Sequence, residues 1–89
     1  MKQLYKYSET FGRQGSLSGT FVIDSEAVCK LKGTAVYFGE VLGKHSEIFG
    51  KLDDSTLTLV TDDQEFIEKL EQFGLHSTGF NPLHYESIH

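Results

Sequence analysis

The stretch "DSEAVCKLKGTAVYFGEVL", residues 24–42, decides the fold, because the spacing of apolar residues changes inside it. Ala27, Val28 and Leu31 stand at i, i+1 and i+4, which places them on one side of a helix. Asp24 can accept from the free amides of the first helical turn, and Glu26 suits its positive end. Lys30 and Lys32 lie near the C-terminus, where Gly33 can take the left-handed cap. Cys29, beside Val28, is expected to be a buried structural thiol. From Thr34 the period is two: Val36, Phe38 and Leu42 share one face, and Ala35, Tyr37 and Val41 the other. A strand apolar on both faces is either central and covered twice, or part of an interface.

Reading outward to the N-terminus, "QLYKYS" (3–8) alternates partly and carries two tyrosines, as a strand does. "FGRQGSLSG" (11–19) predicts a flexible connection from its glycines and serines, and "TFVID" (20–24) a second strand. Towards the C-terminus, "HSEIFGKL" (45–52) resumes the alternation, "LDDS" (52–55) is a turn, and "TLTLVT" (56–61) alternates cleanly. "TDDQEFIEKLEQFG" (61–74) predicts a second helix. Asp62 and Glu65 form its capping box, Phe66, Ile67, Leu70 and Phe73 its apolar stripe, and Gly74 its end. Residues 75–89 read as an irregular tail docked on the domain. The expected fold is α+β in the order ββαβββα: an antiparallel or mixed sheet of four to five strands, with two helices packed on one face. "DSEAVCKL" (24–31) and "DQEFIEKL" (63–70) align without gaps. A duplicated ββα unit would account for the match and would also place both helices on one face.

Eighty-nine residues support one domain, residues 1–89. Eight basic and thirteen acidic residues give a net charge of −5, which disfavours a duplex nucleic-acid module with its basic face. No apolar run approaches the roughly 18 residues that a membrane-spanning helix needs. The N-terminal "MKQLYKYSET" lacks the apolar segment of a secretory signal, and a lone cysteine fits a reducing compartment. The expected location is therefore cytoplasmic.

The residues that look most like chemistry lie in "VYFGEVLGKHSEIFGKL" (36–52). A Walker loop needs four residues between its glycines and a hydroxyl after the lysine. Here only three residues separate Gly39 from Gly43, and His45 takes the hydroxyl's place. His45-x-Glu47 lacks the downstream cysteine pair of a zinc deaminase. If extended, His45 and Glu47 share a strand face and can contact a partner. Gly39 and Gly50, each following a Phe, imply a bulge or the close approach of another group. The histidines at 76, 84 and 89 are irregularly spaced for a metal, and the Asp53–Asp54 and Asp62–Asp63 pairs suit turns and caps.

These residues indicate a non-enzymatic binding or inhibitor protein without cofactor or metal, acting through protein–protein contacts and able to form a homodimer. Its binding residues would be Tyr37, Phe38, Lys44, His45, Glu47 and Phe49. In brevity and composition the chain resembles short phage and prophage accessory proteins, many of which antagonise host factors. That resemblance is one of type and rests on no aligned motif. The alternative is a small nucleotide-like ligand lying beside the Gly-rich loop, with Arg13, Lys44 and His45 meeting its phosphates.

Overall fold

A computed structural model of the protein describes residues 1–43 and 47–88, with residues 86–88 described by their backbone. The described residues form a small α+β domain of two helices and two antiparallel sheets. The first sheet begins with a long hairpin, β1 (Lys2–Thr10) and β2 (Ser16–Asp24), in register from Lys2 opposite Asp24 to Thr10 opposite Ser16. The flexible connection expected over residues 11–19 is only the tip of this hairpin, with a 3-10 turn at Gly12–Gln14. Composition misleads here because Ser16, Leu17 and Ser18 alternate like any half-buried strand, with Leu17 inside and both serines in water. Gly19 continues the strand for a steric reason. A Cβ there would stand 2.5 Å from the Thr78 carbonyl oxygen and 2.6 Å from the Phe80 nitrogen.

Asp24 caps α1 (Ser25–Leu31) by accepting from the Glu26 N–H at 3.0 Å, and Gly33 leaves the helix at φ 90°. Val28 is buried, whereas Cys29 is exposed. One helical step of about 100° carries Cys29 off the narrow face of this two-turn helix, which corrects the buried-thiol expectation. The chain then forms β3 (Thr34–Gly39) and β4 (Ile48–Leu52), which pair antiparallel in a second sheet. β5 (Leu57–Thr61) returns to the first sheet beside β1.

The cap of α2 (Gln64–Gln72) is Asp63, one residue later than the capping-box pattern implies. Its carboxylate accepts from the Glu65 N–H at 3.1 Å, and the Asp63 N–H donates to the Thr61 hydroxyl. Of the expected stripe, Ile67 is buried and Leu70 half-buried, but Phe66 and Phe73 are exposed.

The segment expected to be an irregular tail contains β6 (Ser77–Gly79) on the edge of the first sheet. A 3-10 turn at Pro82–His84, capped by Asn81, and β7 (Glu86–Ile88) on the second sheet follow it. The strand orders are β5-β1-β2-β6 and β4-β3-β7, so the single sheet of the sequence reading is two. The strands of "TAVYFG" and "IFGKL" pair with each other and with β7, and not with the hairpin.

One core lies between the sheets: Tyr5, Tyr7, Leu17, Phe21, Ile23 and Leu57 meet Val36, Phe38, Ile48 and Leu52, with Val28 of α1. Leu4, which points to the other side of β1, and Ile67 are buried outside this cluster. α2 packs on β1, and Lys2, on the Leu4 side, is bound by Glu71 at 2.7 Å. The two helices therefore cover opposite faces of the first sheet, not one, and the β-β-α echo does not correspond to a symmetric pair. Among the described residues no helix is long and apolar enough to cross a membrane.

Candidate protein-contact face

Alternation along β3 and β4 separates core from surface residue by residue. Val36 and Phe38 point inward, as do Ile48, Gly50 and Leu52, while Tyr37 and Phe49 point outward. Tyr37 and Phe49 are register partners, and their rings lie 5.1 Å apart at 44°. The Tyr37 hydroxyl donates to Glu47 Oε1 at 3.5 Å. Phe49 is half exposed, Glu47 is exposed, and Lys51 stands two residues along the same face, opposite Ala35. The result is a small aromatic platform with a carboxylate at one end and an ammonium at the other. Paired aromatics of this kind supply large contact area with little side-chain entropy to lose.

Both Phe-Gly expectations in this region hold, each for a different reason. At Gly39 the register slips by one residue, leaving Phe38 as the extra residue of a bulge, and φ is 80°. At Gly50 the close approach is from inside the protein. A Cβ there would collide with the Phe38 ring and stand 2.6 Å from the Tyr7 hydroxyl.

Only part of the predicted site is assembled on this face. Tyr37, Glu47 and Phe49 come together; Glu47 lies just before β4, so it does not sit on a strand as expected. Phe38 is not available to a partner. It is buried against Tyr7 (5.6 Å), Tyr85 (4.7 Å) and Phe80 (6.5 Å between ring centroids), because the inward parity of β3 claims it for the core. Arg13 sits exposed on the hairpin tip. Gly15 of that tip lies against Leu42, with 3.5 Å between Leu42 Cδ2 and the place a Cβ would occupy. The tip therefore meets the β3–β4 connection, on which Lys44 and His45 lie outside the described residues.

Sequence reasoning missed the contact that joins the two sheets beneath this face. The Glu9 carboxylate accepts from the Tyr7 hydroxyl and from the Lys51 N–H, both at 2.9 Å. Tyr7 has no exposed surface; burial, reinforced by the neighbouring Glu9 carboxylate, pushes its phenol well above the usual tyrosine range. The signal was present as Tyr7-x-Glu9, two polar-tipped residues on one strand face. A Tyr-x-Glu with no known partner, however, reads as surface until the second sheet is in place.

Among the described residues no three His, Cys, Asp or Glu side chains converge as a metal site, and no enclosed pocket is formed. His76 and His84 are both exposed. No protein-family model, curated protein or solved structure matches the chain.

Proposed function

We propose that the protein is a non-enzymatic binding protein, an inhibitor or antagonist by type, that grips a protein partner in the cytoplasm through the outer face of its second sheet. The observation that carries this reading is the Tyr37–Phe49 pair, brought together by strand register yet left open to solvent on Phe49. Tyr37 and Phe49 supply the anchor, while Glu47 and Lys51 set the orientation of a partner of complementary charge. A second copy of the chain is one such partner, and an interface here would supplement the modest core of an 89-residue domain.

The test is quantitative capture of partners from a host lysate by the native chain, by Phe49→Ala and by Tyr37→Ala, with light scattering of the native chain for self-association. One partner, or the dimer, should be depleted at least about tenfold by either substitution, which corresponds to about 1.4 kcal/mol. Equal recovery of every species by native and substituted protein would remove this face from consideration.

The contact of Gly15 with Leu42 favours a second reading, in which a nucleotide-like ligand lies between the hairpin tip and the β3–β4 connection. Arg13, Lys44 and His45 would then meet its phosphates. Native mass spectrometry of protein purified from cells, with a nucleotide panel in a thermal-shift assay, tests it. A bare apoprotein mass with no shift rejects it.

A further inference from the structure

We propose that the free edge of β5 docks an extended peptide segment with a short β-branched or apolar centre and Lys or Arg at both ends. This inference concerns the edge of the first sheet, whereas the Tyr37–Phe49 face belongs to the second, and it does not rest on that face. Among the described residues β5 is the edge strand of the first sheet. The Ser8 N–H donates to the Thr56 carbonyl at 2.9 Å, which sets the phase of the ladder. Thr56 and Thr58 therefore turn their main-chain groups towards β1, and Leu57 and Leu59 turn theirs away. The Leu57 N–H is taken by the Asp53 carbonyl at 2.9 Å. The Leu57 carbonyl and both polar groups of Leu59 remain on the edge, a reciprocal template for one antiparallel neighbour. Val60 is the extra residue of a bulge, since Leu4 pairs with Thr61 and Tyr5 with Leu59. The usable edge therefore ends there.

The composition of this edge lacks the usual protections. Residues 55–61, "STLTLVT", hold no charge and no proline, whereas exposed edges are ordinarily guarded by Lys or Pro. Leu59 is 46% and Val60 51% exposed. Acidic pairs close both ends: Asp53 and Asp54 before the strand, Asp62 and Asp63 after it. The Ser55 N–H and hydroxyl hold the Asp53 carboxylate below its usual range, so it is charged at neutral pH. Lys32 offsets Asp54 in part at 2.8 Å, while Asp54 stays largely in water.

Five residues of strand span about 17 Å, so the matching cations lie at the two ends of a centre of about five residues. The same charges argue against a second copy as the occupant. An antiparallel β5–β5 pair centred on Leu59 would bring Asp62 and Asp63 of one copy beside the Asp53–Asp54 end of the other.

The experiment titrates the full chain into a labelled Lys-Lys-Thr-Val-Thr-Val-Thr-Lys-Lys peptide by fluorescence anisotropy. Two comparison peptides carry Glu in place of each Lys, or N-methyl groups on the central amides. The Lys-flanked peptide should bind, both comparison peptides should bind at least about tenfold more weakly, and exchange of the Leu59 amide should slow on binding. Leu59→Pro removes an N–H that β1 does not use, at a position where an edge strand accepts proline, and should abolish binding. Phe49→Ala should leave it unchanged. If Leu59→Pro does not fold, Asp54→Asn with Asp62→Asn should weaken binding and flatten its salt dependence. The proposal is overturned by equal binding of the Glu-flanked or N-methylated peptide, by no binding at all, by loss on Phe49→Ala, or by Leu59 protection that rises with protein concentration alone.

Discussion

Gly50→Ala tests the packing that holds the two sheets in place. The backbone at Gly50 is not in the left-handed region, so alanine meets no conformational objection there. The cost is steric: the new methyl group falls on the Phe38 ring and 2.6 Å from the Tyr7 hydroxyl, and both side chains are buried. Overpacking a core in this way costs about 1–3 kcal/mol. If the hydroxyl is pushed off Glu9, the lost bond to a charged acceptor costs about 1.5–3 kcal/mol more. Against this, alanine restricts the unfolded chain and recovers about 0.4–1 kcal/mol. The expected net loss is about 3 kcal/mol, a fall in Tm of about 12–24 °C for a domain of this size. Urea unfolding followed by circular dichroism should show a lower midpoint at unchanged slope. Phe38→Leu withdraws the ring edge, so the double variant should lose at least about 1 kcal/mol less than the sum of the singles. A loss below about 1 kcal/mol for Gly50→Ala, or strict additivity with Phe38→Leu, would refute the close approach.

Phe38 and Phe49 should separate stability from recognition. Phe38→Ala should cost about 3–5 kcal/mol, and Phe49→Ala no more than about 0.5 kcal/mol, by the same urea assay. The raised Tyr7 phenol makes stability depend on alkaline pH. The folded chain keeps this proton where the unfolded chain releases it, so stability is complete below about pH 10 and declines as pH rises beyond it. The slope from this group is at most about 1.4 kcal/mol per pH unit, and it should disappear in Tyr7→Phe when the two are compared from pH 9 to 11.5. Cys29 should react with a thiol reagent in the native state at nearly the rate seen in urea; protection in the native state would contradict its exposure.

The elements whose signals are local were legible in the sequence. Asp24, Glu26 and Gly33 delimit α1 because caps are chemistry between residues a few positions apart. Thr34 to Gly39 is a strand because period two needs no partner to be visible. What failed depended on contacts between distant segments. Ser16 to Gly19 looked like a loop because glycine at 19 signals freedom unless another strand crosses it, and β6 does. Residues 77–88 looked irregular because three-residue strands carry no period of their own; each exists only as an addition to an existing edge. The division into two sheets has the same origin. "TAVYFG" is apolar on both sides whether it pairs with the hairpin or with "IFGKL", and only pairing distinguishes the two.

The same limit explains the division of the candidate site. Tyr37 and Phe38 are adjacent and both aromatic, and the sequence gives no reason to prefer one over the other as a contact residue. Pleating assigns them opposite sides, and on the inner side, shared with Val36, the absence of a side chain at Gly50 leaves room for a ring. Phe38 fills that room together with the Tyr7 hydroxyl, and the outward side, by exclusion, belongs to Tyr37. On β4 the parity is reversed by one residue, so Phe49, the neighbour of the glycine that admits Phe38, must face outward beside Tyr37. A substitution at Gly50 that displaced Phe38 would also be expected to disturb the Tyr37–Phe49 platform, since the strand pair that carries both would have to shift.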